Sequence, residues 1–538
     1  MLPAGDRALL VELPGLAGAL GMFDALSAAA LPGVRELVPA ARTVLVHFDP
    51  LVVPAESLIE WIRGLELADG VSPDGRTVQI AVRYDGEDLP AVAALLGISE
   101  AEVIERHTGS DYRVAFGGFA PGFAYLTGGD PVLDVPRRSS PRTRIPAGAV
   151  GLAGTFSGVY PRESPGGWQI IGHTQLPMWN LDHDPPATLQ PGDRVRFVHL
   201  TDAPVETAPP PVDLVETAAQ PPVDLVETAP PPVERVETPN ARLPALQIIN
   251  PGALALIQDE GRPGLGAMGV ARSGALDVRS LHTANRLVGN PSDATVIEFS
   301  FGGAVRALGD VIVAVAGELL DLQLTTAAGE VISIIDQRPI ALHEADTLSL
   351  APILGARGYL AVRGGLDLPA VLGSRSTDTM AKIGPAALTT GTVLPVASGA
   401  RLAAVDGPQP WPGRLTSEPV ELPVLVGPRD DWFTPDALEI LFAQQWTVTP
   451  QSDRVGLRLH GERALQRAVE GELLSEGVVR GALQIPSDGQ PVLFLADHPV
   501  TGGYPVIAVL HSSALDLAGQ LAPGTSVRFV RQAKGSPL

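Results

Sequence analysis

The chain has 538 residues, 45% of them hydrophobic and 18% charged, with a formal net charge of −22 and no cysteine. This length asks for several domains, and this composition for well-packed ones. The lack of cysteine excludes disulfides, thiolate catalysis and Cys-ligated zinc, and the acidic excess repels phosphate backbones, so no nucleic-acid partner is expected.

No apolar run is long enough to span a bilayer, so no membrane association is expected. The opening "MLPAGDRALLVELPG" has no basic segment leading into a hydrophobic core, which predicts no secretory signal and a cytoplasmic location. Lys382 and Lys534 are the only lysines. Arginine therefore carries the positive charge, which suits bidentate anion contacts better than Schiff-base chemistry.

In chain order, strand-like "ALLVEL", a helical stretch around Leu16–Ala30 and strand-like "RTVLVHF" predict a small α/β domain over 1–75. At residue 76 the pattern restarts. "VQIAVRY" sets Val78, Ile80, Val82 and Tyr84 on one face, and "SEAEVIERH" opens with Ser99 and Glu102 at capping-box spacing. Short strands and Gly/Pro turns then run to "PGDRVRFV", predicting a β-rich sandwich or barrel over 76–200. Next comes a degenerate repeat of about ten residues, "APPPVDLVETAAQPPVDLVETAPPPVERVETP". Residues 201–240 hold eight acids and one arginine, a share of −7 in the net charge. Proline denies this segment regular hydrogen bonding and the acids repel, so it reads as an extended, solvated tether. Beyond it, a first β-rich domain is predicted over 241–415. A second, over 416–538, opens near "LPVLVGPRDDWF".

Four landmarks recur in order. The first half reads "SDYRVAF", "RIPAGAVGL", "SPGGWQIIG", "PGDRVRFV", and the end of the chain reads "SDRVGLRL", "QIPSDGQPVLF", "VTGGYPVIA", "PGTSVRFV". The order and similar separations predict two copies of one β fold.

Several stretches can carry chemistry. In "FGGFAPGFAYL" the glycines, Gly122 among them, permit close approach to backbone N–H groups, and Pro121 stiffens the loop. Phe119, Phe123 and Tyr125 supply apolar walls; a plain barrel turn with core aromatics competes, but the ordered partners "RIPAG" and "SPGGW" downstream favour a pocket lining with Phe119, Gly122 and Tyr125 facing ligand. "PRRSSPRTRIPAG" gathers Arg142 and Arg144 beside Pro146 and Gly148, which suits a carboxylate or phosphate, or else makes a solvated basic loop. "YPRESPGGWQIIG" combines Tyr160, Ser164, Gly166, Gly167 and Trp168 as a ligand-facing turn or a β-bulge over a buried Trp. "QDEGRPGLGAMGVARSGALD" holds Gln258, Asp259, Arg262, Ser273 and Asp277. "RGG" follows with Arg363, then "GSRSTD" with Arg375, Ser376 and Thr377. "SEGVVRGALQIPSDGQPVLFLADHPVTGGYP" holds Glu476, Gln484, Asp488, Asp497, His498, Thr501, Gly502, Gly503 and Tyr504. Lone acids on such turns are usually Asx-turn formers, yet several in one β fold can converge on a pocket. There is no phosphate loop, no H-E-x-x-H, no G-x-S-x-G and no kinase signature, and the histidines show no metal-ligand spacing.

Together these stretches form a known pattern. "RYDGEDLPAVAALLGISEAEVIERHTGSDYRVAFGGFAPGFAYL", "PRTRIPAGAVGLAGTFSGVYPRESPGGWQIIGHT" and "PGDRVRF" resemble the B subunit of 5-oxoprolinase, also called KipI-like or allophanate hydrolase subunit 1. "PGALALIQDEGRPGLGAMGVARSGALDVRSLHTANRLVGN", "RGYLAVRGGLDLPAVLGSRSTDT", "GPRDDWF", "SDRVGLRL" and the stretch from "SEGVVRGALQ" to "TGGYP" resemble its C subunit, the KipA-like protein or allophanate hydrolase subunit 2. The chain is thus similar to a natural B–C fusion.

The resemblance implies a mainly β chain with α/β parts: duplicated cyclophilin-like β-barrel domains and a small N-terminal α/β domain. It implies one of two chemistries. The first is ATP-dependent opening of 5-oxoproline to glutamate, with Mg²⁺ and a separate A subunit (LamB/YcsF-like). The second is carboxyl transfer from biotin to urea or a similar amide, as in urea amidolyase. A third implied role is a KipI/KipA-type regulator of a sensor kinase. Under the first, Arg142, Arg144 or Arg375 meets phosphate and substrate carboxylate, and Glu476, Asp488 or Asp497 serves Mg²⁺ or a water. A homo-oligomer is also compatible. One departure stands out: after "GSRSTDT" the family pattern ends in an acidic Gly-Asp, and here Thr392 takes the place of that acid.

Overall fold

The computed structural model describes residues 1–67, 75–138, 140, 142–200, 244–397, 402–415, 418–471 and 473–532. The tether predicted over 201–240 lies outside the described residues.

The apolar run "ALLV" opens a four-stranded antiparallel sheet ordered Leu2–Pro3, Ala8–Glu12, Thr43–Phe48, Val34–Pro39. Both of its faces are covered, which is why the run does not alternate. Leu9, Val11, Val44 and Val46 pack on Met22 and Leu26 of helix Leu16–Ala29 and on Leu58 and Ile62 of helix Ala55–Arg63. Ala8, Leu10 and Leu45 pack the other way, on Val478, Val479, Val500 and Val509 near the far end of the chain.

The next sheet has seven strands: β1 (Thr77–Val82), β2 (Tyr112–Gly117), β3 (Ala124–Thr127), β4 (Ala149–Ala153), β5 (Phe156–Val159), β6 (Gln169–His173) and β7 (Arg194–His199). Their spatial order is β6-β4-β5-β3-β2-β7-β1, with β7 and β1 parallel, and a bridge between Arg83 and His173 joins the two edges. Ser99 caps the helix Glu100–Thr108 by accepting the Glu102 N–H at 3.2 Å, as the spacing predicts. That helix carries His107 into the core, where its ring nitrogens meet the Tyr84 hydroxyl at 2.7 Å and the Ser157 hydroxyl at 2.9 Å.

From Ala245 on, a nine-stranded sheet built on the long strands Val311–Thr325 and Thr347–Val362 packs against helix Val278–Val288 through Ala314, Ala316, Tyr359 and Ala361. The chain ends in a closed barrel: β8 (Val420–Val426), β9 (Trp446–Val448), β10 (Gly456–His460), β11 (Ala482–Gln484), β12 (Val492–Phe494), β13 (Val506–Leu510) and β14 (Ser526–Arg531). Its order is β8-β13-β11-β12-β10-β9-β14, and β8 pairs β14 in parallel.

Each strand of the second barrel occupies the place of the strand seven numbers earlier in the first. The duplication is therefore present in the topology, including the uncommon parallel pairing of first and last strands. Each barrel also carries a two-stranded appendage, Arg142–Ile145 with Ser164–Gly166 and Glu476–Gly477 with Thr501–Gly502.

Two of the four sequence landmarks pair equivalent strands: Gly-Gly-aromatic leads into β6 and β13, and the last Pro-Gly leads into β7 and β14. The other two are offset by one strand. Ser110-Asp111 precedes β2, whereas Ser452-Asp453 lies between β9 and β10. "RIP" precedes β4, whereas "QIP" follows β11. Ser-Asp and Ile-Pro are generic turn formers and can mark any turn. The counterpart of "FGGFAPGFAYL" is accordingly the β9–β10 connection, which contains Arg454.

Candidate active site at the seam between the halves

Backbone meets backbone where the two halves join. A Cβ on Gly117 would lie 2.5 Å from the Ala267 carbonyl oxygen, and one on Gly269 would lie 2.6 Å from that of Ala120. The glycines of "FGGFAPGFAYL" and of "GLGAMG" thus let the β2–β3 turn seat directly on the C-terminal half. The Tyr125 hydroxyl bonds the Ser475 hydroxyl at 2.9 Å, and Arg429 joins Glu12 at 2.8 Å across the same seam. Behind the turn, Phe119, Phe123, Tyr125, Tyr160 and Trp168 form one aromatic cluster, with the Phe123 ring 5.3 Å from both Tyr160 and Trp168. All but Phe119 are buried, as are Pro121 and Gly122.

On the C-terminal side a knot of polar groups fixes the loop 374–379. Asp259 accepts the Ser374 hydroxyl at 2.6 Å, the Ser376 hydroxyl at 2.5 Å, the Arg375 N–H at 2.7 Å and the Gly261 N–H at 2.8 Å. Gln258 donates to the Thr377 carbonyl at 2.9 Å, and Arg262 donates through Nη2 to the Ser376 carbonyl. The loop thereby holds Asp378 beside Arg262.

Asp378 and Arg262 are both 1% exposed. Asp378 Oδ1 accepts the Met380 and Ala381 N–H groups at 2.9 and 2.7 Å, but its Oδ2 makes no hydrogen bond. Nε and Nη1 of Arg262 make none, and neither does Oε1 of Gln258. Leaving a buried polar atom unpaired costs about 1–3 kcal/mol each, and more when it is charged. Proteins keep such atoms where a ligand, an ordered water or an ion completes them, or where strain serves function. Arg162, from the stretch "YPRES", is near enough for its charge to interact with Asp378, and its Nε is unpaired too.

Burial, then repulsion from Asp497, pushes the Asp378 carboxyl up to about 7. Asp497 is held down: burial opposes its ionisation, but Arg454 outweighs it. Arg454 reaches Asp497 at 3.0 Å and also bonds Glu298, and Asp497 further accepts the Ser273 hydroxyl at 2.6 Å and the Thr379 hydroxyl and N–H at 2.7 and 2.9 Å. The site therefore presents a carboxyl poised near neutrality beside a guanidinium edge with two free N–H donors. That pair fits an amide, with the guanidinium donating to its oxygen and the Asp378 carboxyl facing its nitrogen.

The other sequence candidates stand elsewhere. Arg142 is bound bidentately to Asp88 at 2.8 Å and also to Glu87, so its fork is already occupied. Arg144 is exposed and paired with Glu163, and Arg375 donates to the Leu368 carbonyl. Asp277 caps helix Val278–Val288 and binds Arg414, and Arg363 donates to the carbonyls of Val288 and Ala403. Pro146 and Gly148 lie in the turn before β4, and Ser164, Gly166 and Gly167 lie in or next to the first appendage. Glu476, Thr501 and Gly502 belong to the second appendage and Gly503 follows it, with Glu476 paired to Arg429 at 2.8 Å. Gln484 donates to the Tyr504 carbonyl at 3.0 Å, and the exposed Tyr504 ring stacks under Arg467.

The acids expected as alternatives to serve Mg²⁺ or a water each have other partners. Glu476 is paired, Asp497 is saturated, and exposed Asp488 accepts the Gln490 N–H at 3.1 Å as an Asx turn. Among the described residues no group of three His, Asp or Glu can hold a metal. Thr392 sits in the turn before edge strand Val393–Pro395, where its hydroxyl accepts the Thr389 N–H. Sequence reasoning missed Asp378, Arg162 and Arg454, although Asp378 closes the motif "GSRSTD".

Two barrels of one topology thus meet at a seam beside the buried Arg262–Asp378 pair. Family models assign the chain to the carboxyltransferase class: residues 1–189 match the carboxyltransferase domain, subdomain C and D, and residues 268–531 match the carboxyltransferase domain, subdomain A and B. The chain is 41% identical over 172 residues to the 5-oxoprolinase B subunit of Escherichia coli O157:H7, covering 31% of this chain and 79% of that one. It is 33% identical over 294 residues to the 5-oxoprolinase C subunit of Escherichia coli K12, covering 53% of this chain and 91% of that one. The crystal structure of TTHA0988 superposes with a TM-score of 0.79 at 36% identity, covering 97% of this chain and 100% of that one. The chain belongs to this carboxyltransferase-domain family and joins B-like and C-like parts in one polypeptide.

Proposed function

We propose that the chain is the joined B–C component of an ATP-dependent 5-oxoprolinase, opening the 5-oxoproline lactam to glutamate in the cytoplasm with a separate A subunit. The supporting observation is the buried pair Arg262 and Asp378, whose unpaired atoms match the two ends of an amide. We also take the chain to divide into units 1–75, 76–200, 241–415 and 416–538 around the tether.

A lactam resists water because its nitrogen lone pair is delocalised onto oxygen. The amide oxygen takes the γ-phosphoryl group of ATP and ADP leaves; water adds to the activated carbon, the ring C–N bond breaks to give an acyl phosphate, and a second water releases phosphate and leaves glutamate. Arg262 holds the amide oxygen and offsets the charge that gathers on it, at a site where low dielectric strengthens the contact. As the ring C–N bond breaks, the nitrogen needs a proton, and Asp378 can donate it near neutral pH. Arg162 offers a further cation for the substrate carboxylate. Asp497 acts through Asp378 by setting its charge.

The carboxyltransferase family models support a second reading, transfer of a carboxyl group from biotin to urea or a similar amide, with the same pair gripping the acceptor. The assay is glutamate formation from 5-oxoproline and ATP, by this chain alone and mixed with the separate A subunit. Glutamate only in the mixture supports the first reading. No glutamate in the mixture, with biotin-dependent carboxylation of urea instead, overturns it in favour of the second.

A further inference from the structure

Arg162 stands in the turn between β5 and the appendage strand Ser164–Gly166, and it is half-buried. Among the described residues its guanidinium makes no hydrogen bond and no ion pair, and its Nε is sealed from solvent without a partner. A charged group left in that state is costly unless something completes it.

The duplication shows that this position is a built one. Gly166 pairs with Arg142 in the first appendage, and Gly502 pairs with Glu476 in the second. Arg162 lies four residues before Gly166, and His498 lies four residues before Gly502, so the two side chains are equivalents. His498 interacts with His47 of the N-terminal sheet, and Arg162 interacts with Asp378 of the C-terminal half. Each barrel thus aims the residue at this position toward the opposite half. Burial pushes His498 down to about 4 and keeps it neutral, so only the first barrel puts a lasting charge there.

Asp378 does not satisfy that charge. It forms an ion pair with neither Arg162 nor Arg262, and burial with repulsion from Asp497 pushes its carboxyl up to about 7. The other acids around Arg262 are taken, Asp259 by Ser374 and Ser376 and Asp497 by Arg454. Asp378 interacts with both guanidiniums, whereas Arg162 has no such interaction with Arg262. The order across the site is therefore Arg262, Asp378, Arg162, with the last supplied by the other half of the chain.

The molecule 5-oxoproline has a matching order: the carbonyl oxygen, the ring nitrogen, then the carboxylate on the carbon next to that nitrogen. We propose that Arg162 determines specificity at this site: it pairs with the substrate carboxylate while Arg262 holds the amide oxygen and Asp378 faces the nitrogen, so the site selects amides with an acidic group beside the nitrogen over neutral amides such as urea. A neutral amide leaves the Arg162 guanidinium unpaired, and that penalty is what discriminates. The inference rests on the lactam reading of the Arg262–Asp378 pair.

The test is calorimetric titration of the full chain with 5-oxoproline and with 2-pyrrolidinone, the same lactam without its carboxylate. Both titrations are repeated on Arg162→Gln and Arg162→Lys, with thermal melts as the control for folding. The acid should bind at least about tenfold more tightly than 2-pyrrolidinone, the scale of one charge-assisted contact. Arg162→Gln should bring 5-oxoproline down to the level of 2-pyrrolidinone without weakening 2-pyrrolidinone, and Arg162→Lys should restore part of the preference. A merely structural role would weaken both lactams alike. In turnover with the A subunit, Arg162→Gln should raise KM about tenfold and act on kcat far less.

Equal affinity of the unaltered chain for the two lactams overturns the proposal and needs no variant. So do failure of 5-oxoproline to bind, a preference that survives in folded Arg162→Gln, and equal weakening of both lactams. A preference that depends on Arg162, without glutamate formation in the A-subunit mixture, sinks the lactam-opening reading and leaves the specificity assignment. Glutamate formation with KM unaltered in Arg162→Gln does the reverse.

Discussion

Asp497 and Asp378 lie in one buried field and ionise differently. Arg454, Ser273 and Thr379 saturate Asp497 and keep it charged, and that charge adds to burial in holding Asp378 up at about 7. One carboxylate thus sets the working range of the other.

The first prediction is a pH dependence. In the lactam-opening assay, kcat/KM should fall on the alkaline side with an inflection near 7 as Asp378 loses its proton. Stability should follow the same group. Its folded value lies above the ordinary 3.8, so its contribution is present below about pH 4 and is lost as pH rises through 7. Asp378→Asn should remove that part of the slope in denaturant titrations between pH 4 and 8, and an unchanged slope would contradict the assignment.

Arg262 should not tolerate a conservative change. Lysine keeps the charge but loses the planar fork that bonds the Ser376 carbonyl and leaves two donors for the substrate. Arg262→Lys should lower kcat/KM by roughly a hundredfold while the chain stays folded. Full activity would remove Arg262 from the site.

The seam should be sensitive to a single methyl group. Gly117→Ala sets a Cβ against the Ala267 carbonyl and should cost about 1–3 kcal/mol. Gly154 has positive φ but nothing within 4 Å of a Cβ, so Gly154→Ala should cost only the backbone strain, about 1 kcal/mol. Equal melting temperatures for the two variants would show that the halves can shift apart.

The first barrel should weaken in acid. Burial holds His107 down to about 3, so between the ordinary 6.5 and 3 the unfolded chain takes up a proton that the folded chain refuses. The His107 contribution is present above pH 6.5 and is lost as pH falls toward 3. His107→Gln should flatten the acid limb of a stability curve, which a surface histidine would leave untouched.

Much of the fold was legible because it follows local pattern. Ser99 and Glu102 announced a helix cap, "ALLVEL" and "RTVLVHF" announced strands, and the repeated Gly-Gly-aromatic and Pro-Gly turns announced the duplication. Ser-Asp and Ile-Pro misled because turn chemistry is the same in any hairpin. "FGGFAPGFAYL" reads in sequence as the lining of one barrel's pocket, with Phe119, Gly122 and Tyr125 facing a ligand, whereas Gly122 and Tyr125 are buried in the fold. Its glycines in fact serve another need, contact with backbone that is 150 residues away in sequence, and no local pattern carries that. The site was only partly legible for the same reason. Arg142, Glu476 and Asp497 have the residue types that chemistry wants, but each is neutralised by a distant partner: Asp88, Arg429 and Arg454. Asp378 differs from them by what it lacks, which becomes visible only once the chain is folded.

The most direct test of the central claim compares Asp378→Asn with Asp488→Asn in glutamate formation from 5-oxoproline and ATP with the A subunit present. Asp378→Asn should lose at least about a hundredfold in kcat, the scale of a lost proton donor, while Asp488→Asn keeps near-normal turnover. Normal turnover by Asp378→Asn, or loss confined to Asp488→Asn, would contradict the account.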